Sequence, residues 1–138
     1  MAGITISSDK KRLDPKEVAE LYIELGWGTS KKYSAARMKR SLANCDIVVY
    51  ARNEAGELIG ITRALTDGVI DTKILDMIIA PEYQRQGIGI ALMRKLESLA
   101  KGTSIYFETE RKNFAFAKKC GYVPRKGLTV FTKRRKGK

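Results

Sequence analysis

Between Asp76 and Ile90 the chain reads Asp-Met-Ile-Ile-Ala-Pro-Glu-Tyr-Gln-Arg-Gln-Gly-Ile-Gly-Ile, and few local structures satisfy that order. An apolar run stops at Pro81, a short polar loop follows, and glycines at 87 and 89 open a long amphipathic segment. The pattern is that of a strand passing through a glycine-bearing turn into a helix N-terminus. Such a turn leaves backbone N–H groups without intrahelical partners, with the positive end of the helix dipole behind them. Phosphates and other anions bind at such places. Gly87 and Gly89 have no side chains, so a ligand can approach the backbone closely. Arg85 adds a fixed positive charge suited to phosphate.

The rest of the chain is punctuated clearly. Gly3 to Ser7 reads as a short first strand. Asp14-Pro15-Lys16-Glu17 starts a helix, with Asp14 as cap, Pro15 in the first position and Glu17 closing a capping box. Val18, Leu21, Tyr22 and Leu25 then share one face, and Gly26 ends the helix. Ser34 caps a second helix striped by Met38 and Leu42. Ile47 to Ala51 and Leu58 to Leu65 read as strands joined by the turn Asn53 to Gly56. Asp67-Gly68 signals a hairpin into Val69 to Ile79. Ile88, Leu92, Leu96 and Leu99 mark the helix after the glycine loop. A fifth strand from Thr103 to Thr109, a short helix from Asn113 to Lys119 and a last strand from Leu128 to Thr132 complete the chain. The order β-α-α-β-β-β-α-β-α-β predicts an α+β fold, helices packed around a mixed sheet.

With 138 residues a single domain over 1–132 is expected, followed by a basic tail over 133–138. No apolar run reaches membrane-spanning length and the N-terminus lacks a signal-peptide core, so no membrane partner is expected. Cys45 and Cys120 have neither metal spacing nor a disulfide framework, which points to a reducing cytoplasm. The chain has no histidine, which excludes an imidazole base and argues against zinc, so no metal site is expected. The net charge is +12 and is uneven: every acidic residue lies at or before Glu110, and from Arg111 onward all charges are basic. A solvated face, attraction for an anionic cofactor, and nucleic-acid binding through this C-terminal segment are the three readings.

The loop Gln84-Arg-Gln-Gly-Ile-Gly89 after an apolar strand, together with the element order, resembles the GNAT superfamily of N-acetyltransferases, specifically its small single-domain bacterial-type members. The resemblance covers nearly the whole chain. It implies a mostly antiparallel sheet splayed between the fourth and fifth strands around acetyl-CoA as cosubstrate. It further implies that Met77, Ile78 and Ile79 meet the pantetheine through their backbone. Gln84, Arg85, Gln86, Gly87, Ile88, Gly89 and Ile90 would cradle the pyrophosphate, and Asn113 would contact the cofactor as it opens the last helix. The thioester would then lie between Ile78 and Tyr106. The implied reaction is acetyl transfer to a primary amine by direct attack in a ternary complex. The acceptor is a small molecule or a protein, and the assembly a monomer or a homodimer.

For the proton that an alkylammonium must lose, the candidates are Asp76 and Glu108. Asp76 is the only charge between Ile74 and Ala80, and a carboxylate in such a run is costly unless paired or used. On the fifth strand, Tyr106, Glu108 and Glu110 share one face and Ile105 and Phe107 the other. Glu108 is read as the water-linked base and Asp76 as the holder of the ammonium, with the roles exchangeable. Many members of the family carry a tyrosine four residues before a Gly-Phe pair, where it protonates the leaving thiolate. Here the pair is Gly121-Tyr122 and the matching position is Ala117, with Phe116 beside it. Tyr106, Tyr122 and Cys120 are the possible substitutes, and the alternatives are a non-catalytic CoA-binding module or an acetyltransferase acting on an RNA-associated acceptor. Gly26-Trp27-Gly28-Thr29 and Arg63 to Gly68 resemble a bacterial subgroup, which implies Trp27 as a wall of the acceptor site or as a packing residue.

Overall fold

The computed structural model describes residues 3–134. A five-stranded sheet runs in the order β1-β2-β3-β4-β5, built from β1 (Thr5–Ser7), β2 (Ile47–Arg52), β3 (Leu58–Thr66), β4 (Asp71–Ile79) and β5 (Ser104–Tyr106). The first four strands pair antiparallel, and β5 joins β4 in parallel. Helices α1 (Pro15–Glu24) and α2 (Ala35–Asn44) cover one face. Helix α3 (Ile88–Leu99) covers the other, and the short α4 (Phe114–Lys119) packs Phe116 onto the same core.

Local chemistry places the helices where the sequence predicts. Asp14 and Glu17 form the capping box of α1 around Pro15. Gly26 takes φ +78°, and Trp27 N–H donates to the Tyr22 carbonyl at 3.0 Å, which ends α1 in a Schellman-type cap. The Ser34 hydroxyl accepts from Arg37 N–H at 3.2 Å and caps α2.

Strand alternation sorts the side chains into two cores. Val48, Tyr50, Ile61 and Ile78 point to α1 and α2. Ile47, Val49, Ala51 and Ile74 point to α3, meeting Leu92, Met93 and Leu96. In β4 this alternation is broken once. Arg63 pairs with Asp76 and Ala64 with Ile74, so Leu75 is an extra residue in β4, a bulge. Because the side-chain period is two, one inserted residue moves everything beyond it to the opposite face. Ile74 therefore faces α3 while Asp76 and Ile78 face α1 and α2. Without the bulge, Asp76 would enter the apolar core under α3.

Three expectations need correction. The fifth strand ends at Tyr106, because β5 pairs with β4 over only three positions before the two separate. The Asp67 hairpin is not a two-residue turn. Residues 67 to 70 lie between the strands, and the Asp67 carboxylate accepts from the N–H groups of Val69, Ile70 and Asp71. Those three bonds hold its carboxyl below the usual carboxylate range. The segment Leu128–Thr132 forms no strand. Leu128, Val130 and Phe131 stay exposed, since the three-residue β5 offers too short an edge to pair with. Of the basic tail, residues 135–138 lie outside the described residues.

The fold yields one test of the bulge. The Asp76 side chain is 3% exposed and ion-paired to Arg63. Arg63→Leu strands that carboxylate and should cost about 3–5 kcal/mol in chemical denaturation, while Arg63→Leu with Asp76→Leu should recover most of the loss.

Candidate active site

The segment from Gln84 to Ile90 adopts a conformation open to an anion. Arg85 has φ +63° and Gly87 φ +85°, two left-handed residues flanking Gln86, and Gly87 is the N-cap of α3 without a side chain to fill the role. The N–H groups of Arg85 through Ile90 find no backbone acceptor among the described residues. A non-glycine residue held at positive φ costs of order 1 kcal/mol and clusters at ligand sites. Nothing lies within 4 Å of the point where a Gly87 Cβ would stand, so the space beside Gly87 is open. Such a row of N–H groups at a helix N-terminus fits a pyrophosphate.

The two glycines serve different purposes. A Cβ on Gly89 would sit 2.9 Å from Phe116 Cε1 and 3.2 Å from Ile79 Cδ1. Gly89 is thus required by the packing of α3 against α4 and β4, where the sequence suggests ligand access. The glutamines also turn inward. Gln84 Nε2 donates to the Ile79 carbonyl at 2.9 Å and Gln86 Nε2 to the Glu82 carbonyl at 3.0 Å. Both brace the loop, and the exposed Arg85 is left as its charged side chain.

Behind the loop, β4 carries a free edge. Past the Lys73–Tyr106 pair, β4 runs on to Ile79 with β3 on one side and, among the described residues, no strand on the other. This is the splay, and Met77 to Ile79 lie along it. Tyr106 is level with Lys73, whereas Ile78 is level with Ile61 and buried in the core. The two residues expected to flank the thioester therefore stand at different heights along β4.

The candidate bases occupy contrasting environments. Asp76 accepts from Tyr22 Oη at 2.7 Å, Arg63 Nε at 3.2 Å and Arg63 Nη2 at 2.6 Å. Burial, then the Asp76 charge, hold the Tyr22 hydroxyl protonated far above the ordinary tyrosine range. Glu108 is half exposed and bonded to Lys73. That bond holds its carboxyl below the usual carboxylate range, against a smaller push from burial. Sequence reasoning missed Tyr22, Arg63 and Lys73 as partners. The lone arginine in β3 and Asp76, the one charge inside the apolar run from Ile74 to Ala80, were the available signal.

Trp27 is 46% exposed on the α1–α2 loop and meets Tyr22 edge-on at 6.0 Å. Tyr106 is exposed at the end of β5, beside Lys73 and Leu65. The structure does not bring Trp27 and Tyr106 into contact as aromatic partners among the described residues. Asn113 precedes α4 but does not cap it with its side chain, which donates to Thr109 Oγ1 at 3.1 Å. Tyr122 donates to Glu97 Oε2 at 2.9 Å, and burial followed by that bond pushes its pKa up. Cys120 is buried and its thiol is likewise pushed up, first by burial. Neither is poised to release a proton.

The profile of the Acetyltransferase (GNAT) family matches residues 16–122, spanning α1 to the end of α4. The chain belongs to the GNAT family. Acetyl-CoA is that family's cosubstrate. An uncharacterized N-acetyltransferase ycf52 of Pyropia yezoensis is 26% identical over 122 residues, covering 84% of this chain and 68% of that protein. Serotonin N-acetyltransferase 2, chloroplastic, of Oryza sativa subsp. japonica is 24% identical, and the match covers 75% of this chain but about half, 52%, of the rice protein. Among solved structures, a GNAT family acetyltransferase from Streptococcus pneumoniae superposes with a TM-score of 0.80 at 25% identity, over 96% of this chain and 98% of its own.

The packing role of Gly89 is directly testable. Gly89→Ala should destabilise the GNAT domain by about 1–3 kcal/mol through overpacking, read by thermal unfolding. Phe116→Leu in the same chain should restore part of the loss, since it removes the ring that the new methyl strikes.

Proposed function

We propose that the protein is an acetyl-CoA-dependent N-acetyltransferase that moves the acetyl group to a primary amine by direct attack within a ternary complex. The observation that carries the reading is the row of unpaired N–H groups from Arg85 to Ile90, set at the end of a strand whose free edge faces the splay. Acetyl-CoA supplies the acetyl group as an activated thioester. The backbone of Gln86 to Ile90 binds its pyrophosphate, Arg85 adds charge, and the edge of Met77 to Ile79 aligns the pantetheine arm. Reaction then depends on holding the amine against the thioester with the right geometry.

Glu108 receives the amine's proton through water in this scheme. Support comes from its place beyond the end of β5 and from the state of Asp76, whose oxygens are already filled by Arg63 and Tyr22. Asp76 then acts by fixing Arg63 and α1, in place of the ammonium-holding role read from sequence. At the position that matches the family's tyrosine, Ala117 has no proton to give the thiolate. A CoA thiolate leaves tolerably without one near neutral pH.

The absence of that hydroxyl favours one second reading, a CoA-binding module without turnover. Release of free thiol across a broad panel of amines discriminates, and turnover with any acceptor removes the second reading.

Two outcomes are expected. Gly87→Asp should weaken CoA binding in isothermal titration by about ten-fold or more, because it sets a like charge against the pyrophosphate. Gly87→Asn, which tolerates the same left-handed backbone, should retain most of the affinity. Equal affinity in both variants would place the phosphates elsewhere.

The second concerns pH. A carboxyl held below its ordinary range is ionised throughout neutral pH, so Glu108 should give no inflection between about pH 5 and 8. The rate constant kcat/KM should stay level across that range, because the ammonium binds and Glu108 is already ionised to take its proton. Glu108→Gln should lower kcat by roughly 10²-fold with CoA affinity retained. An unchanged kcat would mean that the amine arrives deprotonated.

A further inference from the structure

On the α1–α2 side of the sheet lies an open cleft of about 380 Å³, lined by Lys32, Tyr33, Arg37, Arg40, Ser41 and Arg63, with Met38 and Asn44 completing the wall. It shares no residue with the phosphate loop or the free edge of β4. Four of the eight lining side chains are cationic. Among the described residues, Lys32, Arg37 and Arg40 have no carboxylate partner. No acidic residue lines the cleft among the described residues, and Asp76, the carboxylate that meets Arg63, is spent on it.

The cleft is built as well as charged. Arg63 Nη1 donates to Ser41 Oγ at 2.6 Å, and Arg37 Nε donates to the Lys32 carbonyl at 2.8 Å, so two guanidinium groups are fixed in place. The Tyr33 ring is buried and stacked on Tyr22 at 4.9 Å. Among the described residues its hydroxyl has no hydrogen-bond partner. Gathering like charges without a counter-ion is unfavourable, and an anion relieves it. Guanidinium forks suit carboxylate and phosphate oxygens in particular.

Position gives the cleft a purpose. Arg63 stands directly across from Asp76, next to the Leu75 bulge, and the bulge lies two residues beyond the last β4–β5 pair. Arg63 thus joins the cleft to β4, the strand whose other edge borders the splay. We propose that this cleft binds the anionic group, carboxylate or phosphate monoester, of a small acceptor amine. The volume suits a small molecule. This inference rests on the acetyltransferase reading for its acceptor and on the cleft alone for its anion.

Matched amines test it. O-phosphoethanolamine against ethanolamine isolates a phosphate, and γ-aminobutyrate against butylamine isolates a carboxylate. In thiol-release assays with acetyl-CoA, at least one anionic member should exceed its neutral partner in kcat/KM by about ten-fold or more, the scale of a charge-assisted hydrogen bond. The pair showing the preference identifies the anion. In the full chain carrying Lys32→Gln and Arg40→Gln, both exposed positions, that ratio should fall toward one. A wild-type ratio near or below one in both pairs, or a ratio unchanged in the double variant, overturns the proposal.

Calorimetric binding of the same amines to the protein saturated with CoA gives a readout free of turnover. Tighter binding of an anionic member, lost in the double variant, upholds the cleft even if no acetyl transfer occurs, and the acetyltransferase reading then fails alone. Equal or undetectable binding of both members of each pair overturns the cleft, and turnover of neutral amines leaves the enzyme reading standing.

Discussion

The Asp76–Arg63 pair is the interaction around which this molecule is arranged. A carboxylate with 3% of its side chain exposed is tolerated only with excellent partners, because removing a charge from water costs several kcal/mol. Those partners lie on one face of the sheet, and the bulge at Leu75 turns Asp76 toward them. The bulge, the ion pair and the Tyr22 hydroxyl therefore stand or fall together. Through Tyr22 the pair also fastens α1 to β4, and with Tyr33 stacked on Tyr22 it orients the loop that follows.

This arrangement divides the site between two faces. The α3 side supplies the Gln84–Ile90 loop, held by Gly89 against Phe116 and braced by two glutamines bonded to the Ile79 and Glu82 carbonyls. The α1–α2 side supplies the charge pairs, Trp27 and the basic cleft. The free edge of β4 runs between them. A donor and an acceptor approaching from opposite faces can meet at the splay without competing for the same side chains, as a ternary complex requires.

Much of this was legible in the sequence because it rests on local chemistry. Asp14, Glu17, Gly26 and Ser34 each define a helix end through their immediate neighbours. The Gln84–Ile90 loop follows from a strand, a proline and two glycines in order. The illegible parts depend on register. Arg63 and Asp76 are thirteen residues apart, and nothing local announces that an extra residue at Leu75 brings them face to face. Gly89 looked like Gly87 because both lack a side chain. Only the position of Phe116, 27 residues later, shows why one needs a turn and the other needs space. The run Leu128–Thr132 has strand-forming residues, but a strand forms against a partner, and β5 ends before it can supply one.

The two ion pairs at the site differ in how far water reaches them. Lys73–Glu108 sits where solvent ions penetrate, while Arg63–Asp76 lies behind α1, α2 and the Tyr22 ring. Mobile salt screens charges only where it can come between them or crowd around them. Ionic strength therefore acts on Glu108 as a tuning knob, moving its proton affinity back toward that of a free carboxylate. The scaffold that holds it barely responds.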